Sequence, residues 1–207
     1  MPFRTPSSLA AIQVRPEYQI NRSGGLVPFT GSNEQGRLTL YKHSEGYSWW
    51  FRHDLPSGLR STLENLGPDE CWNYPQRARK ILELWSPCHG SFRGEACVFT
   101  ESQPIRGREK VIRLPGAQTA WGLKSRGKVV ASCVSVREND EVAESWVWVE
   151  PSFRRRGLGK VVTQAWARDL LSRGKTPFYS YADYNTASRN LAKSLGLKPF
   201  AQVMGFD

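Results

Sequence analysis

No apolar run in this chain approaches the eighteen or so residues needed to cross a bilayer, which argues against a membrane-spanning helix. The N-terminus also lacks the continuous apolar core of a secretory signal. Cysteine is scarce: Cys71, Cys88, Cys97 and Cys133 include no Cys-x-x-Cys pair, so a disulfide framework is not expected and reduced thiols in a cytoplasmic protein fit better. Histidine is scarcer still. Cys71, Cys88, His89 and Cys97 match none of the usual zinc spacings, and no metal is expected. Nor does any local feature mark Cys88 or Cys97 as an activated nucleophile beside His43, His53 or His89. Acid is in short supply, with 19 Asp and Glu against 29 Lys and Arg, a formal charge of +10. Such an excess suits nucleic acid, an anionic membrane surface, an anionic cofactor or simply a solvated basic surface. No RNP-like, zinc-finger or helix-turn-helix signature is present, which disfavours nucleic acid.

What the chain does contain is enough to build a core. Hydrophobic residues make up 39% of its 207 positions, with eight Trp, nine Phe and seven Tyr, which excludes a disordered protein. Residues 1–35 are rich in Pro, Gly and Ser and meet their first acid at Glu17. They are faintly like an organellar transit peptide, and the commoner reading is a mobile terminal arm. Residues 36–115 read as an α+β region. Arg37 to His43 and Ser48 to Arg52 have strand patterns, Leu55, Leu59, Leu63 and Leu66 form a helical stripe stopped at Gly67-Pro68, and a second helix is expected from Pro75 to Trp85. A strand from Glu95 to Thr100 and a linker over 104–115 follow.

Residues 116–207 read differently. Strands at 119–124 and 128–136 flank Ser125-Arg126-Gly127, and a third runs from Val142 to Glu150. Val161, Val162, Ala165, Trp166, Leu170 and Leu171 then make the buried stripe of a helix, which Gly174 can end in left-handed geometry. A strand at 178–182, a helix at 185–195 and a last strand at 200–205 complete the series. Between the third strand and the first helix lies Val149-Glu-Pro-Ser-Phe-Arg-Arg-Arg-Gly-Leu-Gly159. Gly157 and Gly159 put no Cβ in a ligand's way, the first-turn N–H groups and the helix dipole favour anions, and Arg154, Arg155 and Arg156 add positive charge. This is a turn suited to phosphate.

The spacing Arg154-x-x-Gly157-x-Gly159 resembles the pyrophosphate-binding motif of the GNAT superfamily of acetyl-coenzyme A-dependent N-acetyltransferases. Asn185 to Leu197 is similar to the superfamily's later Asn-x-x-Ala…Leu-Gly-Phe/Leu helix, and the two motifs stand in the expected order. The resemblance covers roughly residues 118–207. It implies an α/β fold, a mixed and mostly antiparallel twisted sheet flanked by helices, here with an N-terminal α+β extension. It also implies acetyl-CoA as donor substrate and an amine of a small molecule or peptide as acceptor, with the 36–115 region on the substrate side and a homodimer left open; the lack of a long apolar run gives no reason to expect a membrane partner. The chain has one strand after its last helix where the superfamily usually supplies two, so the terminal strand is missing or replaced.

Carried over by resemblance, the backbone of Val147, Trp148 and Val149 holds the pantetheine arm. Arg154, Arg155, Arg156, Gly157, Leu158, Gly159 and Lys160 wrap the pyrophosphate, and Asn185 with Ser188 meets the cofactor arm. Asn185 serves equally well as a helix N-cap. The catalytic groups depart from the family: Ala192 stands where many members place an acid Tyr, and Ser180 where some place a basic Glu. Tyr181 is a substitute acid, while Tyr179 and Tyr184 are neighbours of the same kind. Glu144 is the preferred base, Glu141 the fallback, and a solvent-exposed turn carboxylate is the bland reading of Glu144. Strand alternation keeps Tyr179 and Tyr181 on the face opposite Ser180. A non-catalytic acyl-CoA-binding protein is the rival reading, favoured by the absent Tyr.

Overall fold

The computed structural model describes residues 4–16, 18–28, 36–101, 110–116 and 118–207. They form two compact units, one of residues 96–199 and the other of residues 2–95 together with 200–207. The division expected near 115 is thus not where the units part. The chain crosses between them inside two strands, at Glu95/Ala96 and at Pro199/Phe200.

The second unit contains α1 (Pro6–Gln13), the hairpin β1 (Tyr18–Ile20) and β2 (Leu26–Pro28), β3 (Leu38–His43), β4 (Gly46–Phe51), α2 (Ser57–Leu66), α3 (Pro68–Asn73), α4 (Pro75–Glu83) and the first residues of β5 (Ser91–Val98). Segment 1–35, expected to be a mobile arm, therefore carries a helix and a hairpin among its described residues. Thr5 caps α1 through Ser8 N, and Leu9, Ala10 and Ile12 are buried. Apolar burial and a side-chain cap outweigh the Pro, Gly and Ser content on which the expectation rested. Gly67-Pro68, expected as a stop, ends α2 and starts α3 at the next residue, since Pro is well placed in a first helical turn. Leu38, Leu40, Phe51, Leu63, Trp72 and Leu82 share a core with Met204 and Phe206.

The first unit carries the resemblance. Its elements are the end of β5, β6 (Ile112–Arg113), β7 (Ala120–Ser125), β8 (Lys128–Glu138), β9 (Val142–Val149), α5 (Leu158–Ser172), β10 (Thr176–Ala182) and α6 (Thr186–Ser194), and the chain leaves through β11 (Pro199–Phe206). The expected linker lies outside the described residues over 104–109, and its described part includes β6. The strand order is β5-β10-β9-β8-β7-β6, with β6–β7, β7–β8 and β8–β9 antiparallel and β9–β10 parallel. β5, from the first half of the chain, takes the place beside β10, so the sheet is completed by an earlier strand rather than a later one.

One face of this sheet is covered by α5 and α6. Val161, Val162, Trp166, Ala167 and Leu170 of α5 pack with Ala192 of α6 and with Ala143, Tyr179 and Tyr181 of the sheet. Two indoles fix the helix: Trp166 Nε1 donates to Ser135 Oγ at 3.0 Å, and Trp121 Nε1 to Asp169 Oδ2 at 3.0 Å. Gly174, at φ +75°, ends α5 in the left-handed geometry expected of it.

Candidate functional site

The site begins where β9 and β10 separate. Their ladder registers Thr176 with Val142, Pro177 with Ala143 and Phe178 with Glu144, and then stops, although β9 continues to Val149 and β10 to Ala182. Thr176 N donates to Glu141 O at 2.8 Å, so amides two and four residues further along β10 point the same way. At Ser180 that amide meets a side chain instead of a strand, donating to Glu144 Oε1 at 2.8 Å. Glu144 therefore braces the fork. It is 4% exposed, which overturns its reading as a solvent-exposed turn carboxylate.

Past the fork, β9 presents backbone groups to the opening. Glu150 N donates to Val130 O at 2.9 Å, so residues 150, 148 and 146 turn their backbone groups toward β8. Val147 and Val149 then turn theirs toward the gap. Trp148, grouped with them on sequence grounds, does not, because strand alternation reserves its amide and carbonyl for β8.

The chain next makes a 3₁₀ turn at Pro151–Phe153 and enters α5 through two left-handed residues, Arg155 at φ +59° and Gly157 at φ +79°. Gly157 is the N-cap and has no side chain with which to cap the first N–H groups of α5, the end of a helix that favours anions. A Cβ at Gly157 would meet nothing within 4 Å, whereas one at Gly159 would lie 3.4 Å from Val149 Cγ2. Gly157 thus borders open space and Gly159 fits close packing. Leu158 is buried and anchors the first turn.

The three arginines differ. Arg154 Nε donates to Val149 O at 3.1 Å, tying the turn to the end of β9. Arg156 reaches back to Ser152 O at 3.1 Å and stands 5.1 Å over the Phe153 ring. Arg155 is exposed. Lys160 Nζ bonds Ser194 O at 2.5 Å, joining the start of α5 to the end of α6.

Asn185 is the N-cap of α6, its Oδ1 accepting from Ser188 N at 3.0 Å. Ser188 Oγ lies 2.6 Å from the Tyr179 hydroxyl. Burial pushes the Tyr179 phenol up to about 12, against a lowering hydrogen bond from Ser188. It stays protonated at neutral pH. Tyr181 is 5% exposed in the helix-side core, its ring 6.4 Å from that of Tyr179. Because Glu144 registers with Phe178, the odd-numbered Tyr181 lies on the opposite face, and the two catalytic candidates are not brought together on one face. Ala192, at the position where the resemblance expects an acid, is 1% exposed and belongs to the core.

Among the described residues no group of three or more His, Cys, Asp or Glu could hold a metal, and no helix is long and apolar enough to cross a membrane. All four cysteines are buried thiols.

Residues 122–203 match the family described as FR47-like protein. Among solved structures, a GNAT-family acetyltransferase from Colwellia psychrerythraea is similar at 12% identity and a TM-score of 0.52, over 77% of this chain and 75% of that one. A GCN5-related N-acetyltransferase-like protein from Streptococcus suis aligns at 15% identity and a TM-score of 0.48, over 83% and 84% of the two chains. A GNAT-family chain from Novosphingobium aromaticivorans aligns at 16% identity and a TM-score of 0.48 over 57% of this chain, which spans 65% of its length. No curated protein matches in sequence. At these identities the likeness is one of fold. What is shared with the Colwellia psychrerythraea acetyltransferase is a mixed α/β core whose mostly antiparallel sheet is flanked by helices.

Trp146 belongs to none of the motifs described above. It is 52% exposed on β9, on the same face as Glu144 and Trp148, and the alternation Glu-x-Trp-x-Trp from 144 to 148 was the signal that could have found it.

Proposed function

We propose that this chain is an N-acetyltransferase, moving an acetyl group from acetyl-CoA to an amine of a small molecule or peptide. The observation that carries this reading is the continuity of the fork with the uncapped N-terminus of α5, which lines up strand backbone groups and an anion-binding turn within one βα connection. Those groups suit a ligand with amides at one end and phosphates at the other. Val147 and Val149 would take the amides, the first-turn N–H groups of α5 with Arg155 and Arg156 the phosphates, and Arg154 would position the turn. The donor supplies a thioester as the acyl electrophile.

The acceptor must arrive with its lone pair free, so something must remove an ammonium proton. Glu144 is the base in this proposal. It is too buried to touch a bulky substrate, and the proton passes to it through an intervening water while Oε1 keeps the Ser180 N–H. Tyr181 in its core position is a poor acid for the departing thiolate, and Tyr179 is held by Ser188. The leaving thiolate is then protonated by solvent. A cytoplasmic setting belongs to the same reading, and the four buried thiols suit a reducing compartment.

One observation favours a second reading, a non-catalytic acyl-CoA-binding protein: Ala192 and Tyr181 are both core residues, so neither of these two positions offers a phenol to the reaction. The two readings share the binding step and part at turnover. Calorimetric titration with CoA followed by thiol release from acetyl-CoA across a panel of primary amines tests them. Binding with amine-dependent thiol release is expected. Binding without release on any amine favours the second reading, and no binding removes both.

A further inference from the structure

The sheet face opposite α5 and α6 carries an aromatic feature that the cofactor site does not use. Ala143, Val147 and Val149 pack toward the helices, so Glu144, Trp146 and Trp148 project from the other face. On β8, Trp146 pairs with Val134 and Trp148 with Ser132, and a bulge between Ser135 and Arg137 places the extra residue Val136 beside the Glu144–Ser145 step. Val136 is 43% exposed and Trp146 52% exposed, although an indole offers more apolar area than most side chains to bury. Isolated surface apolar residues are ordinary. Here an exposed indole and an exposed valine border the residue that braces the fork.

We propose that Trp146, flanked by Val136 and Trp148, determines acceptor specificity, its indole carrying the flat, unsaturated ring of a small amine whose nitrogen lies at the fork beside Glu144. This rests on the N-acetyltransferase reading and adds the class of acceptor. Two strand residues on one face stand about 6.6 Å apart along the chain, a separation that a two-carbon link between ring and amine can bridge. Arg137 is the cross-strand partner of Glu144, so the face is not uniformly acidic and charge alone would select poorly. A ring stacked offset on the indole supplies the selection instead. The ammonium form of the amine is complementary to the Glu144 carboxylate on which the face ends.

The test compares phenethylamine with ethylamine as acceptors, each with acetyl-CoA, in the parent, Trp146→Ala and Trp146→Phe. Expected is a KM for phenethylamine at least about 10-fold below that for ethylamine in the parent, since the indole gives the ring both apolar burial and an offset-stacked contact that ethylamine cannot make. Trp146→Ala should raise the phenethylamine KM by about that factor, leaving kcat, the ethylamine KM and CoA affinity unchanged. Trp146→Phe should restore most of the preference. Saturation-transfer NMR with 2-phenylethanol, which has no amine to react, gives a second readout: contact with the CoA-loaded parent, lost in Trp146→Ala. Equal KM values for the two amines in the parent, or an unchanged phenethylamine KM in Trp146→Ala, overturn the proposal while acetyl transfer itself stands. Should CoA bind and neither amine react, absence of 2-phenylethanol contact in the parent overturns it. If Trp146→Ala instead turns a dimer into a monomer by sedimentation with acceptor constants intact, the face is a subunit interface and the proposal falls. Failure of the parent to bind CoA removes the underlying reading as well.

Discussion

The two helices that follow β9 and β10 begin in opposite ways. α6 opens on Asn185, whose side chain accepts from Ser188 N, and Ser188 in turn meets Tyr179, so its first turn is satisfied from within the chain. α5 opens on a left-handed glycine with no side-chain cap. Both starts have the same positive dipole and the same surplus of N–H groups. Only one leaves them for something else. In the proposed function this contrast is what assigns binding to α5 rather than α6, and it ranks the expected effects of substitution.

The largest effect belongs to Gly157→Val. Its Cβ would meet no protein atom within 4 Å, so the substitution is not a packing clash. It does force a β-branched residue to φ +79°, at a cost of roughly 1–2 kcal/mol or more, and projects methyl groups into the space before the first turn of α5. CoA affinity by calorimetry should fall more than about 100-fold, with circular dichroism unchanged. Gly157→Asn, which tolerates left-handed geometry, should lose less. Undiminished affinity in a folded Gly157→Val protein would remove α5 from the cofactor site.

Next in size is Glu144, where the fork's two roles separate. Glu144→Gln keeps an oxygen for the Ser180 N–H and loses basicity, so turnover at pH 7 should drop by about 100-fold with CoA affinity retained. Activity should recover in part as pH rises and more acceptor is unprotonated. Glu144→Ala also leaves the Ser180 amide without its acceptor, and should lower stability by about 1–3 kcal/mol in denaturant titration. Turnover in Glu144→Gln equal to the parent at pH 7 would move the base to Glu141 or to solvent.

Much of this contrast was legible in the residues. Gly157 and Gly159 at the end of a strand pattern marked the α5 start, and Asn185 with Ser188 three positions later is a capping sequence whatever else it does. The helix and strand series from 120 to 206 followed from apolar patterning bounded by turn residues, even though β10 is buried on both faces. What the sequence could not carry was pairing. That β9 and β10 part after Glu144, and that β5 lies beside β10, depends on contacts between distant strands that no local pattern encodes. Tyr181 misled for a related reason: its spacing from Glu144 says nothing about register, and register sets the face. The N-terminal segment misled by composition, since burial of Leu9 and Ile12 in a one-capped helix is invisible to a count of Pro, Gly and Ser.

Asn185→Ala sharpens the comparison from the capped side. Losing the bond to Ser188 N should destabilise the protein by about 1 kcal/mol, read as a lower denaturant midpoint, while CoA affinity falls no more than a few-fold. A loss of CoA affinity as large as that of Gly157→Val would mean that α6, despite its cap, also holds the ligand.

The smallest effect should come from Arg154→Ala, although the residue occupies the first position of the phosphate motif. Its Nε is engaged with Val149 O, and its exposed position leaves much of its charge screened by solvent and salt. The first-turn amides of α5 stay in place without it, and Arg155 and Arg156 remain. CoA affinity should therefore weaken only about 3- to 10-fold, and the deficit should shrink further in high salt if screening governs it. A loss comparable to that of Gly157→Val, undiminished by salt, would show that the guanidinium rather than the uncapped backbone is the principal holder of phosphate, and the difference between the two helix starts would then lie in their side chains.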